Sequence, residues 1–593
     1  EKSKENKRRP CIVIAHTLKG WGLEMAAQSA NHSALPDQSE VDRLREAQGL
    51  TVDQLFGRFS ESSEEGTYLK ARGEKLYKEI LEQHEMKAQN WAMVREKMHE
   101  IPDSLNINLK MVNYPHTQWM LGQLTAKLTR IANDSEVKAG EEGFKVPGEL
   151  LVSMAPDVGT STNLNPAMDG KIFGAVEMHD YEEDLQVKDR KAPDLIPGEE
   201  HSDRFLRFEI AEANVTSCVG SFGRMRDILG IPLIPLMTVY DFFVKRALDQ
   251  HFYNLYWKSS FLLVGTPSGV TLSPEGAQHG WKSDFQIPNQ ITWEPLFCQE
   301  LDWIFVDSLK RHLLEENDQR TGVNIRGTTR GIDQKLFLGC LRKQLKYKSS
   351  NQTLVASGMN FEGAIDESTV PAISDDEIMQ SVRTDVLNGG YYLIDYRGYA
   401  GYEPGDNVVH LFTMGSPTTE AIAASDELLK KGIYANVVVV TSTDLLIGNL
   451  ADQNNFFHLK EVLGIDSTIY FQPYFNGSGA DRAEMVTLSG RRIPIVSVHD
   501  GEPGLLDNIG SIVGTRQICL AVKKHSKCGR PTDVYKFHKM DKDSILEAVG
   551  KVLSETALEK VKISRRALSD LEGNTDSKIG NWRELWPEVD RKH

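Results

Sequence analysis

Two glutamates in the stretch FEIAEAN, Glu209 and Glu212, lie three residues apart in an otherwise apolar neighbourhood. A carboxylate is costly to bury unless something pairs with it, so a buried member of this pair needs a partner or a ligand. Burial also tunes how tightly a carboxyl group holds its proton, which is what general acid–base chemistry requires. Read alone, the pair is ambiguous, and two surface acids are the better explanation.

Further polar residues follow predicted strands elsewhere in the chain. Asp157 comes after LLVSMAP, His279 closes the stretch SPEGAQH, and His32 lies in NHSA. Because ligands of open α/β sheets bind at the carboxyl ends of the strands, these side chains are candidates for one common site. Taken singly, each is better explained as a polar loop residue or a satisfied buried hydrogen-bonding group. None belongs to a metal-binding signature or a Ser-His-Asp motif.

The elements that must position these residues alternate between strand and helix. LLVSMAPD (150–157), GIPLIPLMTV and SSFLLVG predict buried strands, whereas residues 116–132 and FEIAEANVTSCVGSFGRM predict helices. Such alternation predicts an α/β domain with a largely parallel sheet over residues 110–330. A helix that included both glutamates would place Glu209 one turn before Glu212, facing solvent or pairing with Arg204 or Arg207.

A second alternation occupies residues 401–593, where NVVHLFTMG, YANVVVV and IPIVSVHDG predict strands and TTEAIAASDELLKKG a helix. Nearer the start, Cys11–Ala15 predicts a buried strand, and residues 38–58 and 67–100 predict helices. Residues 331–400 give no clear pattern. The acidic stretch 179–203 has few apolar residues and predicts an exposed loop.

Composition narrows the function classes. The chain has 593 residues, 40% of them hydrophobic, and a formal net charge of −16, which argues against a large nucleic-acid-binding face. No apolar run is long enough to span a bilayer. The six cysteines lack CxxC spacing, so neither a zinc site nor a disulfide framework is predicted, and a reducing compartment is expected. The cytoplasm and the mitochondrial matrix both satisfy this expectation.

The order of motifs carries a resemblance. KGWG and NHSA are followed by APD, FEIAEAN, IPLIPLMTVYDFF and GTPSGVTLSPEGAQH. From about residue 10 to about residue 550 the chain resembles the thiamine-diphosphate-dependent transketolase superfamily, and within it the homodimeric pyruvate dehydrogenases that form the decarboxylating first component of their complex. The glutamate motif and SGVTLSPEGAQH are fairly specific, whereas KGWG alone is weak.

The resemblance implies a role for each matching residue. Glu212 matches the glutamate that contacts the aminopyrimidine ring of thiamine diphosphate, and Tyr240 and Phe243 match the aromatic wall that packs on this ring. Simple core packing explains the two aromatic residues equally well. His279 and His32 resemble histidines that reach the substrate, and imidazole can move protons near neutral pH.

Asp157 matches an acidic position near the cofactor, but Val158 follows it where bacterial pyruvate enzymes carry a second acid. The resemblance also implies a parallel-sheet pyrimidine domain and a transketolase-like C-terminal α/β domain. The expected segments are a remnant of the diphosphate-binding domain (1–37), a helical linker (38–109), the pyrimidine domain (110–330), a connecting segment (331–400) and the C-terminal domain (401–593).

One family element is absent from the sequence. The superfamily binds Mg²⁺ and diphosphate through a Gly-Asp-Gly motif, and no GDG occurs here; HDGEP (499–503) has His499 in place of the first glycine. A divalent cation needs hard oxygen ligands to hold diphosphate. We therefore expect the Mg²⁺ site to lie outside this sequence, through truncation or on another polypeptide.

The resemblance predicts oxidative decarboxylation of a 2-oxoacid, with pyruvate expected, followed by reductive acetylation of a lipoyl group on a dihydrolipoyl transacetylase. A homodimer is expected, because pyrimidine and diphosphate domains of this family meet across a subunit interface. Two alternatives stay open. One is transketolase-like transfer of two-carbon units between sugar phosphates, and the other is a non-catalytic structural subunit with the same fold.

Overall fold

The computed structural model describes residues 11–51, 53–54, 57–156, 162–164, 204–208, 210–270, 287–316, 319–465 and 493–571. The predicted site residues Asp157 and His279, together with Glu209, lie outside this part of the chain. The chain divides into two units, Glu1–Glu85 and Met86–His593, which are described separately.

The first sheet confirms the α/β architecture predicted for residues 110–330. Among the described residues its strands are all parallel and run in the order β2-β1-β3-β4-β6-β5. Most are buried along their whole length, as expected for a parallel sheet covered on both faces. The strand bounds are β1 (Leu151–Ala155), β2 (Phe205–Arg207), β3 (Ile234–Val239), β4 (Phe261–Gly265), β5 (Gln290–Trp293) and β6 (Gly322–Arg326).

Helices flank this sheet on its connections. The described ones are α3 (Thr117–Asn133), α4 (Lys145–Leu150), α5 (Glu212–Phe222), α6 (Met225–Leu229), α7 (Leu248–Tyr256) and α8 (Cys298–Leu314), preceded by α2 (Glu64–Lys97). The helices predicted over 116–132 and 67–100 are thus confirmed. The helix predicted to include both glutamates is wrong in its start, because α5 begins at Glu212 with Ala211 as its N-cap. Strand β2, only three residues long, was missed.

A second sheet lies in the C-terminal part of the chain, in the order β13-β12-β10-β11-β9, with β9 antiparallel to β11. Its strands are β9 (Gly390–Ile394), β10 (Val408–Met414), β11 (Tyr434–Val440), β12 (Ile495–His499) and β13 (Gln517–Leu520). The flanking helices are α9 (Lys335–Leu341), α10 (Asp375–Leu387), α11 (Thr418–Leu429), α12 (Thr443–Leu446), α13 (Asn449–Asp452), α14 (Ile509–Val513), α15 (Pro531–His538) and α16 (Lys542–Leu571). A separate pair is formed by β7 (Leu354–Val355) and β8 (Ile365–Asp366).

The segment 331–400 therefore holds regular structure that its sequence did not reveal. It supplies α10, whose start is fixed by a capping box between Ser374 and Glu377, and β9, which joins the second sheet. The domain boundaries stay predictions.

The two sheets meet through buried polar contacts. The Glu300 carboxylate accepts hydrogen bonds from the amides of Leu296 (2.6 Å) and Phe297 (2.8 Å), and from the Tyr391 hydroxyl on β9 (2.6 Å). Burial raises the pKa of Glu300 to about 7, although these three donors act in the opposite direction. The Asp444 carboxylate likewise accepts a hydrogen bond from the amide of Thr292 on β5, at 2.7 Å.

In the N-terminal unit, the strand predicted at Cys11–Ala15 is wrong. Its residues form no strand, and Ile12 is 87% exposed. Within the described part of this unit no strand is present to pair with the segment, so its apolar sequence is left uncovered. Helix α1 (Gln38–Ala47) ends well before the predicted residue 58, because Gly49 has a left-handed φ of +69° just past its end.

No helix in the described ranges is both long and apolar enough to cross a membrane.

Candidate functional site

Glu212 opens α5 and is buried, with 7% of its surface exposed. Helix α5 lies against β1 and β3, where Val215 and Val219 belong to the same apolar cluster as Met237 and Val239. The partial positive charge at a helix N-terminus favours a carboxylate in the first turn. The fold thus holds Glu212 at the carboxyl ends of the first sheet's central strands.

The partner of this carboxylate is Arg246, which sequence analysis missed. Its guanidinium donates to Glu212 Oε1 at 2.8 Å, and its side chain is 49% exposed. The same guanidinium lies over the Phe243 ring, 3.5 Å from the ring centroid. The half-exposed guanidinium can move away from the buried carboxylate without being desolvated. No local pattern links two residues 34 positions apart.

Tyr240 and Phe243 form an aromatic wall next to Glu212. Tyr240 directly follows β3, and a 3₁₀ helix over Asp241–Ala247 turns the chain so that the two rings stack, with centroids 5.7 Å apart and planes 18° apart. Phe242 packs edge-on against Phe243 at 4.3 Å. The wall is therefore held by its own neighbours and presents flat aromatic surface beside the carboxylate.

These groups line a cavity of about 210 Å³ at the ends of β1 and β3. The lining residues are Ala155, Pro156, Thr162, Ile210, Glu212, Thr238, Val239, Tyr240, Phe243 and Arg246. The Thr162 and Thr238 hydroxyls are buried and lie 2.8 Å apart, within hydrogen-bonding distance. A planar heteroaromatic ring with a protonatable nitrogen suits such a pocket, since its face can pack on the wall and its nitrogen can meet the carboxyl group.

Behind the pocket, buried ionic contacts fix the turn that follows β4. Asp241 accepts from Arg326 Nε at the end of β6 and from the Ser268 hydroxyl, both at 3.0 Å. Gly269 has a φ of +87°, and a β-carbon there would lie 2.1 Å from Asp500 Oδ2 of the second sheet. Only glycine allows this close approach, so the turn is held between the two sheets. Sequence analysis singled out none of these residues.

The structure brings together three of the predicted site residues, namely Glu212, Tyr240 and Phe243. His32 belongs to the N-terminal unit, where it ends the short 3₁₀ helix Ser29–His32 and its carbonyl accepts from Lys19 Nζ at 2.6 Å. The roles of His32, Asp157 and His279 stay predictions.

The chain is similar to known proteins in both sequence and fold. The chain is 23% identical over 395 residues to the pyruvate dehydrogenase E1 component of Cupriavidus necator, and 22% identical over 338 residues to that of Escherichia coli. These matches cover 61% and 54% of this chain but only 41% and 35% of the relatives. The chain thus spans well under half of the curated relatives it matches. No family model matches it.

Among solved structures, the chain is similar to transketolase from Leishmania mexicana, with a TM-score of 0.57, 13% identity, and coverage of 94% of this chain and 64% of that one. It is also similar to Pichia stipitis transketolase in complex with sedoheptulose 7-phosphate, with a TM-score of 0.54 and 14% identity over 93% of this chain and 64% of that one. At such identities the likeness establishes the fold alone.

Proposed function

We propose that this chain, which has the fold of the thiamine-diphosphate-dependent transketolase superfamily, contributes the ring-binding site of an enzyme that oxidatively decarboxylates pyruvate. The acetyl group would pass to a lipoyl group on a dihydrolipoyl transacetylase. The observation that carries the proposal is a buried carboxylate, Glu212, beside the stacked rings of Tyr240 and Phe243 in one pocket.

The pocket fits the aminopyrimidine of thiamine diphosphate. This ring is planar and its nitrogen can share a proton with a carboxyl group, so Glu212 would hold its edge and the wall would hold its face. When bound, the cofactor supplies an electron sink for cleavage of the bond to carbon dioxide. The described residues contain no group of three His, Cys, Asp or Glu that could hold a metal ion, so the proposal assigns no Mg²⁺ ligand among them.

Arg246 and Glu212 together would control the proton at the ring nitrogen. Without the ring, the guanidinium neutralises the buried carboxylate at 2.8 Å. With the ring bound, Glu212 would hydrogen-bond to its nitrogen instead, and Arg246, already 49% exposed, would move toward solvent at little cost. The Asp241–Arg326 ion pair and the Ser268 hydroxyl would restrain the neighbouring turn. This restraint would keep the aromatic wall in position beside Glu212.

The charge of the pocket supports pyruvate over a sugar phosphate as the proposed substrate, and so do the names of the curated relatives. A sugar phosphate needs free basic groups at the pocket mouth, and among the described lining residues the one cation is Arg246, which Glu212 already engages. Pyruvate needs fewer basic groups in the pocket, because its only charged group is a single carboxylate. A non-catalytic subunit has no need for a buried, ion-paired glutamate beside an aromatic wall.

The proposal includes a homodimer. Helix α7 begins directly after the pocket segment Asp241–Ala247 and exposes aromatic side chains on one side. Phe252, Tyr253, Tyr256 and Trp257 are 50%, 60%, 80% and 51% exposed. Clustered exposed aromatic residues are typical of interfaces, so a second copy covering this face would explain them.

The test supplies thiamine diphosphate, Mg²⁺ and an artificial electron acceptor to this chain together with the part of the enzyme that holds Mg²⁺ and the diphosphate, with pyruvate or a ketose phosphate as substrate. We expect pyruvate to drive reduction of the acceptor and the ketose phosphate not to. Reduction with the ketose phosphate alone would favour the transketolase-like alternative. Cofactor binding without turnover of either substrate would indicate the non-catalytic subunit.

A further inference from the structure

A compact cluster of cations stands out on this acidic chain. Residues 523–539 contain six Lys or Arg and a single acid, Asp533, which gives a formal charge of +5 with histidines neutral. The whole chain carries −16, so the remaining residues carry −21, the difference of these two values. We call this cluster the basic surface; its cations are Lys523, Lys524, Lys527, Arg530, Lys536 and Lys539, all exposed.

The fold gathers these cations rather than leaving them dispersed. The loop after β13 is tied to α15 by a hydrogen bond between Ser526 Oγ and His538 Nε2 at 2.9 Å. Lys524 Nζ and Lys527 Nζ both lie over the Phe537 ring, 3.7 Å and 5.1 Å from its centroid. The ring face partly offsets the mutual repulsion of two ammonium groups held this close.

No carboxylate neutralises the cluster within the described structure. None of the six cations forms an ion pair with an acidic side chain in the described ranges, and Lys523 Nζ instead donates to the Cys519 carbonyl at 3.1 Å. Like charges concentrated on a surface repel one another, and an anionic partner relieves that repulsion while gaining long-range attraction.

The basic surface also lies near the carboxyl ends of the second sheet's strands, on the side of that sheet that meets the turn after β4. The amide of Val522 donates to the Gly501 carbonyl at 2.9 Å, and Gly501 follows Asp500, which meets Gly269 after β4. Strand β4 pairs with β3, whose end lines the pocket. A partner on the basic surface would therefore bind near the carboxyl ends of the strands, where the pocket also lies.

We propose that the basic surface is a docking site for an acidic segment of a partner protein. The segment must be short, because the charge of −21 on the rest of the chain repels an extended polyanion that reaches past the cluster. A nucleic acid or an anionic membrane extends much farther than these 17 residues and meets that repulsion. The proposal is independent of the chemistry assigned to the pocket.

The test measures binding of a fluorescein-labelled decamer of glutamate by anisotropy at 50 mM and 300 mM NaCl. The triple variant Lys524→Glu, Lys527→Glu, Arg530→Glu should bind about tenfold more weakly than wild type at the lower salt, and the wild-type affinity should fall at the higher salt. The matched control, Lys70→Glu, Lys75→Glu, Lys78→Glu, makes the same charge change at lysines that are 62%, 62% and 78% exposed on α2.

We expect the control to bind like wild type. Both variants should stay folded by circular dichroism, since every altered side chain is exposed. Small losses of melting temperature are expected in both, because the control breaks ion pairs with Glu61, Glu79 and Glu82 and the triple variant removes two cations from the Phe537 ring. Equal affinities of wild type and the Lys524→Glu, Lys527→Glu, Arg530→Glu variant would overturn the proposal, as would failure of the wild type to bind the decamer at all. It would also be overturned if a thymidine decamer or phosphatidylserine vesicles bound wild type at least as tightly as the glutamate decamer and bound this variant more weakly.

Discussion

Replacing Glu300 by Gln tests how the contact between the two sheets responds to pH. Glu300 is fully buried, and its pKa is raised from 4.5 to about 7 because burial disfavours the charged carboxylate. In the unfolded chain the group releases its proton near its ordinary value. The folded state therefore holds an extra proton between pH 4.5 and about 7, and stability must fall as pH rises through that window.

The size of the effect follows from the pKa. A tenfold change in proton affinity corresponds to about 1.4 kcal/mol, so the rise from 4.5 to about 7 corresponds to roughly 3 kcal/mol of unfolding free energy. This contribution is complete below the unfolded pKa and is lost above about pH 7, where the ionised carboxylate is buried. Glutamine has the same shape and does not titrate, so Glu300→Gln removes the pH dependence that Glu300 causes.

The assay is chemical denaturation of wild type and Glu300→Gln at pH 5 and pH 8.5. The variant should gain about 2.5 kcal/mol relative to wild type between the two pH values, slightly less than the full effect because unfolded Glu300 is already largely ionised at pH 5. Tyr391→Phe removes the 2.6 Å hydrogen bond to the carboxylate and should cost about 1–3 kcal/mol, chiefly at pH 8.5 where the carboxylate is ionised. Glu403→Gln, at an exposed position, serves as the control. Stability curves of wild type and Glu300→Gln that stay parallel across this range would refute the reasoning.

Three further substitutions test the pocket and the turn behind it. Gly269→Ala places a β-carbon 2.1 Å from Asp500 Oδ2 and should lower the unfolding free energy by about 2 kcal/mol more than Gly358→Ala. Gly358 is the control because it has a similar φ but nothing within 4 Å of its β-carbon position, and equal losses would contradict the prediction. Phe243→Leu should weaken thiamine diphosphate binding about fivefold to tenfold in calorimetric titration, whereas Phe457→Leu, at an exposed position outside the pocket, should not. Unchanged affinity of Phe243→Leu would argue against the wall. Arg246→Gln leaves Glu212 without its cation, so the cofactor no longer has to displace Arg246 when it binds. Added cofactor should therefore raise the melting temperature of the variant more than that of wild type. Equal shifts would argue against the replacement of Arg246 by the ring as the partner of Glu212.

Sequence periodicity predicted the elements that are long and apolar. The buried strands β1, β3 and β4 read as continuous hydrophobic runs, and α3 has regular apolar spacing, so their positions follow from burial alone. The strand predicted at Cys11–Ala15 has the same composition, but composition cannot show whether a neighbouring strand is there to pair with it. Strand β2 was missed because three residues are too few to define a period.

Some residues of the candidate site were recognisable from the sequence and others were not. Glu212, Tyr240 and Phe243 belong to contiguous motifs, which made them recognisable from sequence. Arg246, Asp241 and Arg326 act through contacts between residues far apart in the chain, and a single sequence carries no record of such pairs. The start of α5 at Glu212 likewise depends on the turn that precedes it, which a periodicity argument does not see.

The central claim is that Glu212 is the acid that acts on the cofactor ring. Its most direct test is pyruvate-dependent reduction of an artificial acceptor by wild type and Glu212→Gln, each assayed with the part of the enzyme that holds Mg²⁺ and the diphosphate. Thiamine diphosphate and Mg²⁺ are kept at saturation, and folding is checked by circular dichroism. The account predicts a fall of about 100-fold or more, with the fold intact, because glutamine can accept a hydrogen bond but cannot exchange a proton. A Glu212→Gln protein with wild-type activity would contradict it.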